Sequence, residues 1–219
     1  MIRVLLVDDQ QLVRAGLRML CESDVDIEVV AEADNGRDAV RLAGELHPDV
    51  VMMDLRMPGM DGTTATARIR AAHPTCRVVV VTTFDDDDHL YPALAAGACG
   101  FLVKDAAPAE LLAGIHRAAE GDSPFSPGVL RRLVDRAVRS REAEPAAVLP
   151  RITPREHDVL QLVAAGLTNQ EIADQLHLGI TTVKTHVTSL MTKTGSPNRV
   201  RLAMLAVRAS RPPSPDTTA

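Results

Sequence analysis

The chain has 219 residues, 46% of them hydrophobic and 2% aromatic, with 29 acidic against 24 basic side chains. That length allows two modest domains, each with its own core. Apolar runs such as Val50–Met53 and Val78–Val81 are far too short to cross a bilayer, and the charged start Met1 to Asp9 reads as a strand rather than a signal peptide. A cytoplasmic protein without a membrane partner is expected.

The charge is unevenly spread. Residues 1–122 carry 21 acidic against 11 basic side chains, whereas residues 151–219 carry 5 against 8. An acidic half followed by a basic half predicts that only the second meets a polyanion. Lysine is scarce, 3 against 21 arginines, and Lys104, Lys184 and Lys193 all fall in segments that matter below. The three cysteines, Cys21, Cys76 and Cys99, lack metal-ligand spacing and read as small apolar residues.

Residues 1–122 alternate strand-like and helix-like segments five times. Ile2–Val7, Ile27–Ala33, Val50–Met53, Val78–Thr82 and Phe101–Val103 are short, rich in Val and Ile, and apolar on both faces, as buried parallel strands should be. Helix-length stretches follow them near Gln10–Ser23, Gly36–Leu46, Thr63–Ala72, Asp86–Ala96 and Pro108–Glu120. The alternation predicts a parallel sheet covered on both faces. The acidic run Asp85–Asp88 suits a helix N-terminus better than a metal site. Prolines and serines between 123 and 150 mark a linker, in which Leu130–Arg141 has the texture of a basic helix.

Residues 151–212 are helical, with a loose tail expected at 213–219. Thr153-Pro154-Arg155-Glu156 is a capping box with proline at the first helical position, and Thr168-Asn169-Gln170-Glu171 is a second box. Gly166 suits a helix C-terminus, and Asn198 is placed to cap a last helix near Arg199–Ala209. In the helix near Ile180–Lys193, Val183, Val187 and Leu190 share a core face. Lys184, Thr185 and Thr188 then point outward, behind a tight turn at Leu178-Gly179. A cation with short hydroxyls on such a face suits a major groove, and Thr181 and Thr182 at the helix start suit phosphate. His186 fits either phosphate or packing, and Lys193 adds a second cation.

In the first half, Asp8 and Asp9 follow the first strand, Asp54 ends the third, Thr82 ends the fourth and Lys104 follows the fifth. Open parallel sheets bind ligands at the carboxyl ends of their strands. Three carboxylates gathered there repel one another and call for a hard cation such as Mg²⁺, while a lysine and a hydroxyl can hold phosphate oxygens. The pattern predicts phosphoryl transfer onto a carboxylate.

With these residues in order, the first half resembles a response-regulator receiver domain. The resemblance is carried by Asp8-Asp9, by Asp54 in the run Asp-Leu-Arg-Met-Pro-Gly-Met-Asp-Gly, by Thr82, and by Lys104 in Gly-Ala-Cys-Gly-Phe-Leu-Val-Lys-Asp. It implies a flavodoxin-like α/β fold, five parallel strands in the order 2-1-3-4-5, beside a small all-α domain. It further implies that Asp54 accepts phosphate from a sensor histidine kinase or a small phosphodonor. Asp8, Asp9, Asp54 and the backbone carbonyl of Arg56 would bind Mg²⁺, Lys104 and Thr82 would sense the phosphate, and Phe101 occupies the aromatic switch position, if it is not a plain core aromatic. Leu-Thr-Asn-Gln-Glu-Ile-Ala through Thr-Val-Lys-Thr-His-Val resembles the LuxR-type helix-turn-helix, making the NarL/FixJ response regulators the natural family. That implies a DNA-binding transcription factor that dimerises on phosphorylation and is not an enzyme beyond its own phosphoryl transfer. Gly179, Thr194, Ser196 and Pro197 depart from the family's pattern, with less capping at the recognition helix and fewer apolar residues before the last one.

Two other readings fit parts of the chain. An aspartyl-phosphate phosphohydrolase would use the same groups, but it would place a second acid two positions after the nucleophile, where Arg56 stands. The helical half could instead serve protein contacts; its outward cation and hydroxyls favour DNA.

Overall fold

A computed structural model describes residues 1–83, 87–126, 129, 133 and 150–209, without the side chains of 87, 88 and 208. The chain forms two compact units, Met1–Val129 and Leu130–Ala219. Most of the expected linker and all of the expected tail lie outside the described residues, as do the Leu130–Arg141 helix, apart from Leu133, and the side chains of the Asp85–Asp88 run.

The first unit runs β1 (Ile2–Val7), α1 (Gln11–Glu22), β2 (Ile27–Ala33), α2 (Gly36–Leu46), β3 (Val50–Met53), α3 (Gly62–Ala72), β4 (Arg77–Thr82), α4 (Asp87–Ala95), β5 (Gly100–Val103) and α5 (Pro108–Ala119). The sheet is parallel, in the order β2-β1-β3-β4-β5. Strands β4 and β5 each begin one residue earlier than the apolar pattern indicates, at Arg77 and Gly100.

The period of two along the strands divides the core. Val4, Leu6, Val50, Met52, Val79 and Val81 pack against α1 and α5 through Leu17, Cys21, Leu111 and Ile115. Leu5, Val7, Val51, Met53 and Val78 pack on the opposite face against Ala39, Ala43, Ala65 and Ile69 of α2 and α3. All three cysteines are buried, which pushes Cys21 and Cys99 up to about 11 and Cys76 up to about 12. Such thiols are inert packing groups at neutral pH.

The sheet does not end cleanly at β5. The N–H of Phe101 donates to the carbonyl of Pro124 at 2.8 Å, and the N–H of Ser126 returns to the carbonyl of Phe101 at 3.1 Å. Phe101 and Phe125 form a parallel bridge. The first residues of the expected linker thus cover the free edge of β5, satisfying backbone groups that an edge strand would expose.

The second unit contains α6 (Pro154–Ala164), α7 (Asn169–Leu176), α8 (Ile180–Thr194) and α9 (Arg199–Ala209). Both predicted capping boxes form. Gly166 takes the left-handed conformation after α6 (φ 85°), and Asn198 accepts from the N–H of Arg201 at 2.9 Å. One core joins all four helices, with Val159, Leu160, Val163, Ile172, Val183, Val187, Leu190, Leu202 and Ala206 buried. Gly179 indeed gives α8 no side-chain cap. The polar stretch before α9 does not loosen that helix: the buried Arg199 donates to Asn169 Oδ1 at 2.6 Å and to the carbonyl of Leu167 at 2.5 Å, fastening it to the start of α7. Among the described residues no helix is long and apolar enough to cross a membrane.

Candidate functional site

The acidic pocket is built where β1 and β3 stop. The ladder continues one residue beyond each: the Asp8 N–H donates to Ala33 at 3.1 Å and the Asp54 N–H to Val7 at 2.8 Å. This fixes both backbones side by side at the carboxyl edge of the sheet. Asp8 and Asp54 are buried, at 1% and 3% exposure, whereas Asp9 is exposed. Each of the three offers a carboxylate oxygen within 4.8 Å of the others.

Lys104 reaches across from β5, its Nζ lying 2.7 Å from Asp8 Oδ2 and 3.0 Å from Asp54 Oδ1. The Asp8 Oδ2 atom is buried, and the Lys104 ammonium is its partner. Burial pushes the Asp54 carboxyl above the usual carboxylate range; Lys104 offsets part of that, and Asp8 and Asp9 add to it. Burial alone would lower the Lys104 ammonium, but Asp8 and Asp54 outweigh it and hold it above its ordinary value. Burial sets the first direction, and the two carboxylates in contact with the ammonium set the second. Three clustered carboxylates against one ammonium fit a small divalent ion, and an all-oxygen donor set suits Mg²⁺.

Thr82 is buried at the end of β4, where its carbonyl accepts from the Lys104 N–H at 2.8 Å. Phe101 points inward at 1% exposure. Arg56, two residues after Asp54, is exposed between the buried Leu55 and Met57.

Sequence reasoning passed over three supports of this pocket. Gly62, the first residue of α3, is packed so tightly that a Cβ there would collide with the Asp54 carbonyl. Arg14 of α1 donates to the carbonyl of Asp8 at 2.6 Å while pairing with Glu32 at 3.1 Å. Ser126 Oγ accepts from the N–H of Val103, the residue before Lys104, at 3.3 Å while donating to Glu110 Oε1 at 2.7 Å. The tight space beside Gly62 has no single-residue signature, but arginine four residues into α1 beside an acidic β2 was a visible hint.

In the second unit, Val183, Val187 and Leu190 face the core, and α8 turns Thr181, Thr182, Thr185 and Thr188 to solvent, with Lys184 half-buried. Thr181, Lys184, Thr185, Thr188, Ser189, Thr192 and Lys193 line one open groove. His186 is half-buried and outside that lining. The turn into α8 rests on His177, whose φ of 53° is left-handed. Lys193 differs from the other expected contacts: its Nζ lies 2.7 Å from both carboxylate oxygens of Glu156. Hydrogen bonds from Lys193, Thr153 and Ser189 hold the Glu156 carboxyl down to about 2.

Both parts of the chain match known families. Residues 4–116 match the response regulator receiver domain, and residues 150–206 match the bacterial regulatory proteins of the luxR family. The transcriptional regulatory protein LiaR of Bacillus subtilis (strain 168) is 42% identical over 95% of this chain and 98% of its own. The response regulator protein VraR of Staphylococcus epidermidis is 38% identical over 94% and 96%. Among solved structures, the response regulator ChrA of a heme-sensing two-component system is 37% identical with a TM-score of 0.53, covering 94% of this chain and 96% of that one. RcsB from Salmonella enterica serovar Typhimurium, bound to promoter rprA in the presence of the phosphomimetic BeF3-, is 26% identical with a TM-score of 0.56, covering 96% and 100%. With its receiver sheet and its LuxR-type helix-turn-helix, the chain belongs to the NarL/FixJ family of two-component response regulators, which regulate transcription.

Proposed function

We propose that Asp54 is the phosphoacceptor of a switch that controls DNA binding by α8. One observation carries the reading: the Asp54 carboxylate sits at the end of β3, 3.0 Å from the Lys104 ammonium and clustered with the carboxylates of Asp8 and Asp9. A carboxylate oxygen of Asp54 attacks the phosphorus of a phosphohistidine on a sensor histidine kinase, forming a P–O bond as the P–N bond breaks. The electron pair returns to the imidazole nitrogen, which takes up a proton. Attack by water on the acyl phosphate later restores the aspartate and releases inorganic phosphate.

Asp8, Asp9, Asp54 and the backbone carbonyl of Arg56 would hold Mg²⁺, which when bound neutralises charge on the phosphoryl group. Lys104 gives up its contact with Asp54 to hold a phosphoryl oxygen, and the Thr82 hydroxyl donates to another. Movement of Thr82 changes the packing of Phe101, shifting the population toward a state that dimerises. Residues 1–122 act as the receiver, 123–150 as linker and 151–212 as the DNA-binding domain, with 213–219 as tail. Thr181 and Thr182 meet phosphates, Lys184, Thr185 and Thr188 meet base edges, and His186 flanks them. The basic charge of this half is small, so two copies on paired half-sites are needed for useful affinity. The RcsB dimers on DNA among the structural relatives support that arrangement.

The test is incubation with a small phosphodonor and Mg²⁺, or with candidate kinases, followed by a phosphate-retarding gel beside Asp54→Ala. A hydroxylamine-labile shifted band in the wild type alone is expected. Equal dimerisation and operator binding by Asp54→Ala and phosphorylated protein would sink the switch.

A further inference from the structure

Glu156 is a buried carboxylate, 4% exposed, and its partners come from two elements. On its own side, Oε2 accepts from the backbone N–H of Thr153 at 2.8 Å, closing the capping box of α6. From α8, Ser189 Oγ donates to Oε1 at 2.8 Å, and Lys193 Nζ lies 2.7 Å from both oxygens. Ser189 and Lys193 are four residues apart, so they stack on one face of α8 a turn from each other. The carboxylate therefore grips α8 at two heights, which fixes both its rotation about its own axis and its slide along α6. The hydrophobic drive that buries Val187 and Leu190 is non-directional. A charge-assisted contact at 2.7 Å is directional, and a buried carboxylate stripped of its cation is costly.

We infer that Glu156 and Lys193 are positioning residues that set the register of the recognition helix, and that Lys193 is not itself a phosphate contact although it lines the same groove. The inference rests on the reading that α8 binds DNA. It makes an uncommon prediction about sign. If Glu156 merely held back a DNA-binding lysine, removing its charge would tighten binding. As a clamp, removing it weakens recognition.

The test uses the full-length protein and a duplex that the wild type recovers from a random-sequence library, beside a scrambled duplex. Glu156→Gln and Lys193→Met are each expected to lower affinity for the recovered duplex at least 10-fold while changing affinity for the scrambled one less than 3-fold. The slope of log affinity against log salt should stay at the wild-type value. By contrast Lys184→Met, which removes a proposed base contact, should lower affinity for the recovered duplex directly. Tighter binding by Glu156→Gln, or a slope reduced by about 0.9 in Lys193→Met, the share of one phosphate, would overturn the inference. Thermal unfolding reads the clamp without DNA: the effects of Glu156→Gln and Lys193→Met should be non-additive, and additive effects would also overturn it. Should Glu156→Gln fold poorly, Ser189→Ala removes one of the two grips and should lose part of the discrimination between duplexes; unchanged discrimination counts against the clamp. Failure of the wild type to recover any preferred duplex would instead sink the DNA reading, leaving the unfolding result to judge the clamp.

Discussion

Lys104 Nζ lies 3.0 Å from Asp54 Oδ1, although β4 separates the strands that carry the two residues. The long lysine stem passes the end of β4 beside Thr82 to make that contact. Because the same ammonium also serves Asp8, the pocket has more negative charge than its own residues can neutralise.

Asp54→Asn should therefore stabilise the first unit in the absence of divalent cation, by roughly 1 kcal/mol, since it removes one of the crowded buried charges. Millimolar Mg²⁺ should raise the melting temperature of the wild type and leave the variant unchanged. Thermal unfolding with and without Mg²⁺ decides the matter; a variant that melts lower without metal means the crowding is not unfavourable.

Two glycines in helices of this unit should respond in opposite directions. Gly62→Ala drives a Cβ into the Asp54 carbonyl and should cost at least about 2 kcal/mol while slowing phosphorylation. Gly16→Ala meets nothing within 4 Å inside α1 and should stabilise by roughly 0.5–1 kcal/mol through helix propensity alone. Denaturant melts of both variants check the pair.

The pairing of Phe101 with the 124–126 segment gives a third expectation. A Cβ at Gly100 would lie 2.5 Å from the Pro124 carbonyl and 2.6 Å from its ring, so Gly100→Ala should displace that segment from β5. Hydrogen exchange at the N–H groups of Phe101 and Ser126 should accelerate at least 10-fold, with β1 and β3 unaffected. Unchanged protection would mean that the sheet edge yields elsewhere.

Glu156 ties the second unit to acid. Its folded value of about 2 lies below its ordinary 4.5, so the stability it contributes is fully present above about pH 4.5 and is lost as pH falls through 2. Glu156→Gln should melt well below the wild type at pH 6, and the gap should shrink steadily between pH 4.5 and 2. A gap independent of pH would show that the carboxylate's charge is not what stabilises the helix pair.

Much of this was legible in the residues. The strand-end places of Asp8, Asp54 and Thr82 follow from apolar runs that stop on polar residues, and the capping boxes at Thr153 and Thr168 are local in sequence, so local spacing reveals them. His47 and His177 were not legible as left-handed helix ends, because glycine is the residue that normally marks them. The Pro124–Ser126 pairing was hidden for another reason: prolines and serines signal a break in regular structure, and nothing in their identity says that a sheet edge lies within reach.

The periods of the elements and the order of the chemical groups along the chain could be read from the residues, since these depend on side-chain type and local spacing. Which charges meet depends on packing. Lys104, after β5, meets Asp8 and Asp54 at the ends of β1 and β3, and Lys193 pairs with Glu156, 37 residues away. Coulomb attraction acts through space and strengthens with burial, so partners are chosen by the packing that brings them together rather than by their distance along the chain.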